Sequence, residues 1–316
     1  MDEFALIRSL TADLPSNAQV IAGAGDDCAV LELGLPDRWV LFKTDAVVEG
    51  VHFTTSTPPE KIGHKALARC LSDIAAMAGT PVAALITLGL PREFDPGFIK
   101  AIYRGMKPLA ERHAVAIVGG ETTTNPDRLL ISVSVIGTVE KTKCPRRSGA
   151  KSGDAIFVTG ELGGSLARRH LEFEPRLREA RWLAEHFAIH ALMDISDGLA
   201  GDLRHILRAS HVGAELLARA IPISRSARKP GAPGETTPAS VKPPLLAALT
   251  DGEDFELLFT VASSDAVALL DAWKKKFPEL RLSCIGKILA EPGLRLRESR
   301  GVKTLNAEGY IHFKQP

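Results

Sequence analysis

Apolar runs along the chain follow two different periods. RWVLFKTDAVV (38–48), VAALITLGL (82–90) and LLISVSVIGTV (129–139) are rich in β-branched residues and read as strands, with shorter strand-like runs in CAVLEL and AVAIVGG. Between them, EKIGHKALARCLSDIAAMAG (60–79) repeats apolar positions three and four apart. Ile62, Ala66, Leu67, Cys70, Ile74 and Met77 then share one face, which predicts a helix. A short helix over 4–11 and another over 96–113 complete a mixed α/β unit ending near residue 140.

The turn-rich, basic CPRRSGAKSGD (144–154) reads as a connector. Beyond it, DAIFVTG, FELLFTV and LSCIGKI read as strands, and GGSLARRHL, RLREARWLAEHF and SSDAVALLDAWKKKF as helices. LMDISDGLAGDLRHILRAS is a strand end turning into a helix, and the C-terminal tail is strand-rich. From Ser224 to Pro244 the composition shifts to Pro, Ser, Lys, Gly and Thr, which predicts an exposed, mobile loop. The expected division is 1–140 and 141–316, two α/β (α+β) domains without short repeats.

Composition narrows the classes. The 316 residues are 45% hydrophobic and 24% charged, with a formal net charge of +1, so nothing demands a nucleic acid or an anionic membrane. MDEFALIRSL does not read as a signal peptide, and no apolar run approaches the ~20 residues of a spanning helix. Four cysteines (Cys28, Cys70, Cys144, Cys284) lie far apart without a CxxC pair, as free thiols in a reducing cytoplasm would. His186 and His190 are four apart but lack the glutamate of an HExxH site, and read as surface or core histidines.

The acids carry more. Asp26, Asp27, Asp45, Asp73, Glu121, Asp194, Asp197, Asp251, Glu253 and Asp254 sit beside glycine or at strand ends. Singly, each suits a turn or a cap. Converging, they would repel severely unless cations neutralised them, and hard divalent ions such as Mg²⁺ bridge carboxylates to substrate phosphates. No Walker loop, protein-kinase motif or GxGxxG fingerprint is present. A nucleotide would therefore be held through metal ions.

GDDCA (25–29), TDAVVEGVHF (44–53), ALARCLSDIAAMAG (66–79), GGETT (119–123), RSGAKSGD (147–154), DISDGL (194–199), GEDFELLF (252–259) and GYIHF (309–313) resemble, in order, the motifs of the thiamine-monophosphate kinase family. The resemblance implies an aminoimidazole ribonucleotide synthetase-like fold, with an N-terminal α/β domain dimerising through its sheet and a C-terminal α+β domain. It implies transfer of the γ-phosphoryl of ATP to thiamine monophosphate with several Mg²⁺ ions. Position by position, it assigns metal roles to Asp27, Thr44, Asp45, Asp73, Glu121, Asp194 and Asp197. Tyr103, Gly120, Glu121, Arg147 and Ser196 match ATP positions, and His52, Glu253 and Tyr310 match those holding thiamine monophosphate. In-line transfer onto a phosphate needs no general base, and Arg147 would stabilise developing charge.

Three departures stand out: GGET for GGDT, Lys43 where the family carries a small hydroxylated residue, and DGED for GGED, which adds Asp251. Superfamily relatives acting on ribonucleotides or making selenophosphate lack EGVHF and GYIHF. A non-catalytic nucleotide-binding dimer is the other alternative; it has no reason to keep so costly an acid cluster.

Overall fold

The computed structural model describes residues 3–228, 242–307 and 309–310. The first half runs α1 (Glu3–Thr11), β1 (Val20–Ala22), β2 (Ala29–Leu31), β3 (Arg38–Val48), α2 (Pro59–Ala76), β4 (Thr80–Leu90), α3 (Pro96–Arg112), β5 (Ala116–Thr124) and β6 (Leu130–Glu140). Its strands form one sheet in the order β1-β2-β3-β6-β4-β5, antiparallel except for the β4–β5 pair.

Alternation along the central strands separates two faces. Leu41, Val47, Ile86, Ile131, Val133 and Val135 are buried, in one core with Leu67, Cys70 and Ile74 of α2. The opposite face leaves Phe42, Leu85, Val118 and Ile136 between 42% and 62% exposed, one from each of four neighbouring strands. Helix α3 crosses α2 closely because glycine sits at the contact. A Cβ at Gly63 would lie 1.9 Å from the Ile102 carbonyl oxygen, and one at Gly105 1.8 Å from that of Glu60.

The second half runs β7 (Ala155–Thr159), α4 (Leu177–His186), β8 (Ile189–Asp194), α5 (Leu199–Ser210), β9 (Gly213–Leu217), α6 (Arg225–Arg228), α7 (Pro244–Thr250), β10 (Leu257–Val261), α8 (Ala266–Lys276), β11 (Leu282–Leu289), β12 (Gly293–Glu298) and β13 (Gly301–Thr304). The sheet order is β13-β12-β9-β11-β7-β10-β8. One face packs on Leu199, Leu203 and Ile206 of α5. The other, with Phe157, Leu192 and Phe259, joins the core that contains α2. Helix α2 is thus shared between the halves, which explains why 13 of its 18 residues are buried.

The structure departs from the periodic reading in places. GGSLARRHL forms two 3₁₀ turns, Ser165–Ala167 and Arg169–Leu171, rather than an α-helix. Gly163 and Gly164 hold φ of 81° and 67°, and the Ser165 hydroxyl is committed to Asp254, so no regular N-terminus forms. Strand β9, GAELL, lies inside its sheet between β12 and β11, yet it has no β-branched residue to mark it in sequence. Strand β5 continues through GGETTT, and His190 lies on β8 bonded to Asp154 instead of sharing a helix with His186. Of the expected 224–244 loop, residues 229–241 lie outside the described residues, as do 311–313 of GYIHF; its described flanks enter α6 and α7. All four cysteines are free.

Candidate active site

The loop before β2, the inner face of β3, one stripe of α2 and the end of β8 meet between the two sheets. On β3, Lys43 and Asp45 alternate with outward residues and so share the inner face with Leu41 and Val47. On α2, Lys65, Arg69 and Asp73 are four residues apart and line one stripe, with Ser72 beside them. Asp194 ends β8, and its pairing with Leu257 of β10 brings it beside the loop that carries Glu253.

Asp27, Asp73 and Asp194 converge. Each offers a carboxylate oxygen within 4.8 Å of the others, and they are only 1%, 8% and 3% exposed. Burial and the charge of Asp27 push Asp194 up to about 7. Burial, with Asp194, Asp45 and Asp27, also raises Asp73 far above the usual carboxylate range, against the pull of Lys43. Raised in this way, Asp73 and Asp194 favour their protonated forms until a cation displaces the protons. Among the described residues, Asp27 Oδ2 is buried without a hydrogen-bond partner, and so is Arg147 Nε. Arg147 meanwhile donates through Nη2 to Asp27 Oδ1 at 2.6 Å. An orphaned acceptor in a three-carboxylate, all-oxygen cradle fits a hard divalent cation. The orphaned guanidinium N–H beside it fits an anion.

A cleft of about 100 Å³ opens next to this cradle, lined by His52, Arg69, Asp197, Glu253, Phe255 and Tyr310. Its floor is an ion network. Buried Lys65 donates to Glu253 Oε2 at 2.7 Å and to the His52 carbonyl at 2.6 Å, and its Nζ lies 2.8 Å from His170 Nδ1. Burial lowers Lys65 to about 8, with Glu253 opposing. Burial would raise Glu253, but Lys65, His170 and Arg69 outweigh it and hold the carboxyl at about 2. His52 is lowered to about 4 by burial and by Arg69, and its Nδ1 accepts from the Val48 amide, so the ring is neutral. Glu253 and Phe255 adopt φ of 64° and 51°, unusual for non-glycine residues and a strain that marks functional loops. Their conformation is held by Glu253 N–H donating to the Ser196 carbonyl and Phe255 N–H to that of Ile195. Tyr310 N–H donates to the Asp197 carbonyl, tying the chain's last described residue to the rim.

The expected site residues fall into three sets. Asp27, Asp73, Asp194 and Arg147 form the cradle; Asp45 is next to it, bound to Arg69 at 2.8 Å. His52, Ser196, Asp197, Glu253 and Tyr310 line the cleft. Thr44, Tyr103, Gly120 and Glu121 are not brought together with either. The Thr44 hydroxyl bonds Ser132 and Ser134 on the outer face of the sheet. Glu121 pairs in register with Thr87 of β4, which pairs with Ser132, which pairs with Ala46. At ~4.8 Å per strand its backbone is about 14 Å from β3, on that same outer face. Tyr103 is 36% exposed on α3.

Sequence reasoning missed Lys65, Arg69, Ser72 and His170. The available signal was three polar residues four apart, 65, 69 and 73, inside an otherwise apolar helix.

The AIR synthase related protein N-terminal domain family matches residues 25–139, and the AIR synthase related protein C-terminal domain family matches 151–298. The thiamine-monophosphate kinase of Rhodopirellula baltica is 38% identical over 316 residues, covering 98% of this chain and 95% of the relative. That of Bacillus subtilis is 35% identical over 341 residues, covering 99% and 100%. The solved structure of AaThiL complexed with AMPPCP and TMP superposes with a TM-score of 0.81 at 31% identity, covering 99% of this chain and 97% of that one. The hydrogenase maturation protein HypE of E. coli, 20% identical with a TM-score of 0.69, shares the fold.

Proposed function

The chain belongs to the thiamine-monophosphate kinase family of AIR synthase related proteins, and from that premise we propose that it transfers the γ-phosphoryl group of ATP to thiamine monophosphate, giving thiamine diphosphate. The observation that carries the reading is the adjacent pair of orphaned buried atoms, Asp27 Oδ2 and Arg147 Nε, which want a cation and an anion side by side.

Asp27, Asp73 and Asp194 would hold Mg²⁺, with Asp45 and Asp197 at its margins. When bound, Mg²⁺ supplies positive charge between two phosphate groups that otherwise repel. Arg147 donates to the phosphates from one side with Ser196 near it, while Gly120 and Tyr103, which lie away from this cradle, would reach ATP from a second copy of the chain. On the other side His52, Glu253 and Tyr310 hold and orient thiamine monophosphate, whose phosphate is the acceptor. That phosphate is mostly deprotonated near neutral pH, with a second pKa around 6, so no side chain need remove a proton and transfer is direct and in-line.

Thr44 and Glu121 join this chemistry through a second copy of the chain. Their outer sheet face carries the exposed row Phe42, Leu85, Val118 and Ile136, which supports a homodimer formed sheet against sheet. A division near residue 140 into a dimerising, nucleotide-binding part and a part completing the site follows the gap between the sheets. Free, partly buried thiols suit a cytoplasmic enzyme. No helix among the described residues is long and apolar enough to cross a membrane.

The test is a Mg²⁺-dependent assay with ATP and thiamine monophosphate, comparing wild type with Asp45→Asn and Asp197→Asn. Thiamine diphosphate from wild type, falling at least a hundredfold in both variants, is the expected outcome. Nucleotide binding without product would transfer the reading to another acceptor.

A further inference from the structure

Lys43 stands where a side-chain amine has no obvious business. It projects from the inner face of β3 into the acid cluster, 25% exposed, with Nζ 3.0 Å from Asp73 Oδ1. Arg69 treats Asp45 likewise, with Nε 2.8 Å from Oδ2 and Nη2 3.4 Å from Oδ1. Arg147 completes the set on Asp27.

Charge then limits what else the cluster can hold. Lys43, Arg69 and Arg147 each set a positive charge against one carboxylate, that of Asp73, Asp45 and Asp27 in turn. The oxygens tell the same story: Asp45 has both engaged by Arg69, Asp73 has one engaged by Lys43, and Asp194 accepts from Ser72. Among the described residues, the buried carboxylate oxygen left without a partner is Asp27 Oδ2, on a residue 1% exposed.

We propose that Lys43 is a resident cation occupying the place of a divalent ion, so that the nucleotide-free protein takes a single divalent ion, in the Asp27–Asp73–Asp194 cradle. This rests on the phosphotransfer reading only for what the ion is used for; the count is a property of the cluster. Lys43 thereby fixes part of the neutralising charge in the chain itself, independent of metal concentration. A second ion beside Asp73 would sit within a few ångströms of the ammonium, and like charges so close weaken its binding steeply.

Mn²⁺ alone, titrated into nucleotide-free protein with free Mn²⁺ read by electron paramagnetic resonance, tests the count. Wild type and Lys43→Arg are expected to bind one ion per chain. Lys43→Ser is expected to gain a second, at least tenfold tighter than any second site of wild type. Lys43→Met, which keeps the apolar stem and removes the charge, should gain it too and replaces Lys43→Ser if thermal melting shows the serine variant unfolded. Two or more comparable ions in wild type, or unchanged stoichiometry in the neutral variants, would overturn the proposal. The kinase assay on the same wild-type sample separates the two readings. One Mn²⁺ bound without thiamine diphosphate formed sinks the function and leaves the Lys43 inference standing.

Discussion

The hydroxyl of Ser72 on α2 donates to Oδ2 of Asp194 at the end of β8, joining residues 122 positions apart in the buried seam between the two sheets. It holds one cradle carboxylate against the helix that carries another, Asp73. Ser72 is 1% exposed and Asp194 3%, so water cannot replace the bond. Ser72→Ala should cost about 1–3 kcal/mol, the penalty for leaving a buried acceptor with one donor fewer. Chemical denaturation of both proteins measures it. Loss of a bond that favours the carboxylate should also raise Asp194 further, shifting any proton release on metal binding to higher pH.

Asp194 makes the metal-free fold pH-sensitive in a stated direction. Its folded value of about 7 lies above the ordinary 3.8, because burial and Asp27 disfavour the charged form. Between those values the folded state binds the extra proton, so this group's contribution to stability falls as pH rises through the window. Asp194→Asn should flatten that slope and stabilise the metal-free protein at pH 8 by on the order of a few kcal/mol. Melting temperature against pH, with and without Mg²⁺, is the measurement. Mg²⁺ should raise the melting temperature of wild type, increasingly with pH, and leave Asp194→Asn nearly unmoved.

Lys65 sets an upper pH limit on the cleft. Burial lowers its amine to about 8, whereas the unfolded lysine titrates near 10.5. Above about pH 8 the neutral amine no longer holds Glu253 by charge, and Glu253 in turn loses its fixed position against Arg69. KM for thiamine monophosphate should therefore rise as pH passes 8, with KM for ATP unchanged. Steady-state kinetics from pH 6.5 to 9.5 read this directly. Tyr310→Ala, which removes a cleft wall, should raise the same constant at all pH values.

Phe42 is 47% exposed and pairs in register with Ile136, itself 42% exposed, at the centre of the outer apolar row. Phe42→Asp should leave the monomer's melting behaviour within about 1 kcal/mol, since the side chain packs on no core. Light scattering should report dimer for wild type and monomer for the variant. If Glu121 acts across the interface, activity is lost with the dimer. Mixing inactive Glu121→Ala with inactive Asp194→Asn chains should then recover up to about a quarter of the wild-type rate, from heterodimers with one intact site.

Gly63 and Gly105 leave room for the α2–α3 crossing, where an added Cβ would meet backbone oxygen at under 2 Å. Gly63→Ala should destabilise by about 3 kcal/mol, because backbone rather than a flexible side chain must move. Denaturant midpoints decide it.

Periodicity is local, and the sequence by itself determined what local rules govern. The helical stripe from Ile62 to Met77, the β-branched run of β3 and the strand-to-helix junction at Asp194 all stand where pattern places them. Chemistry was legible where acids sit beside glycine or end a strand, since such carboxylates have few purely structural uses in that number. Two elements escaped: β9, GAELL, has no β-branched residue to mark it as a strand, and GGSLARRHL keeps a helical pattern that Gly163 and Gly164 override. The tertiary structure alone decided which acids meet. Asp27, Asp73 and Asp194 come from a loop, a helix and a strand end, and nothing between neighbours in the chain encodes that distance. Alternation put Thr44 on the opposite face from Asp45, though both stand together in the motif. Lys43 and Arg69 acquired their partners the same way, because charge pairing depends on positions in space, where the low dielectric of the seam makes each pairing matter.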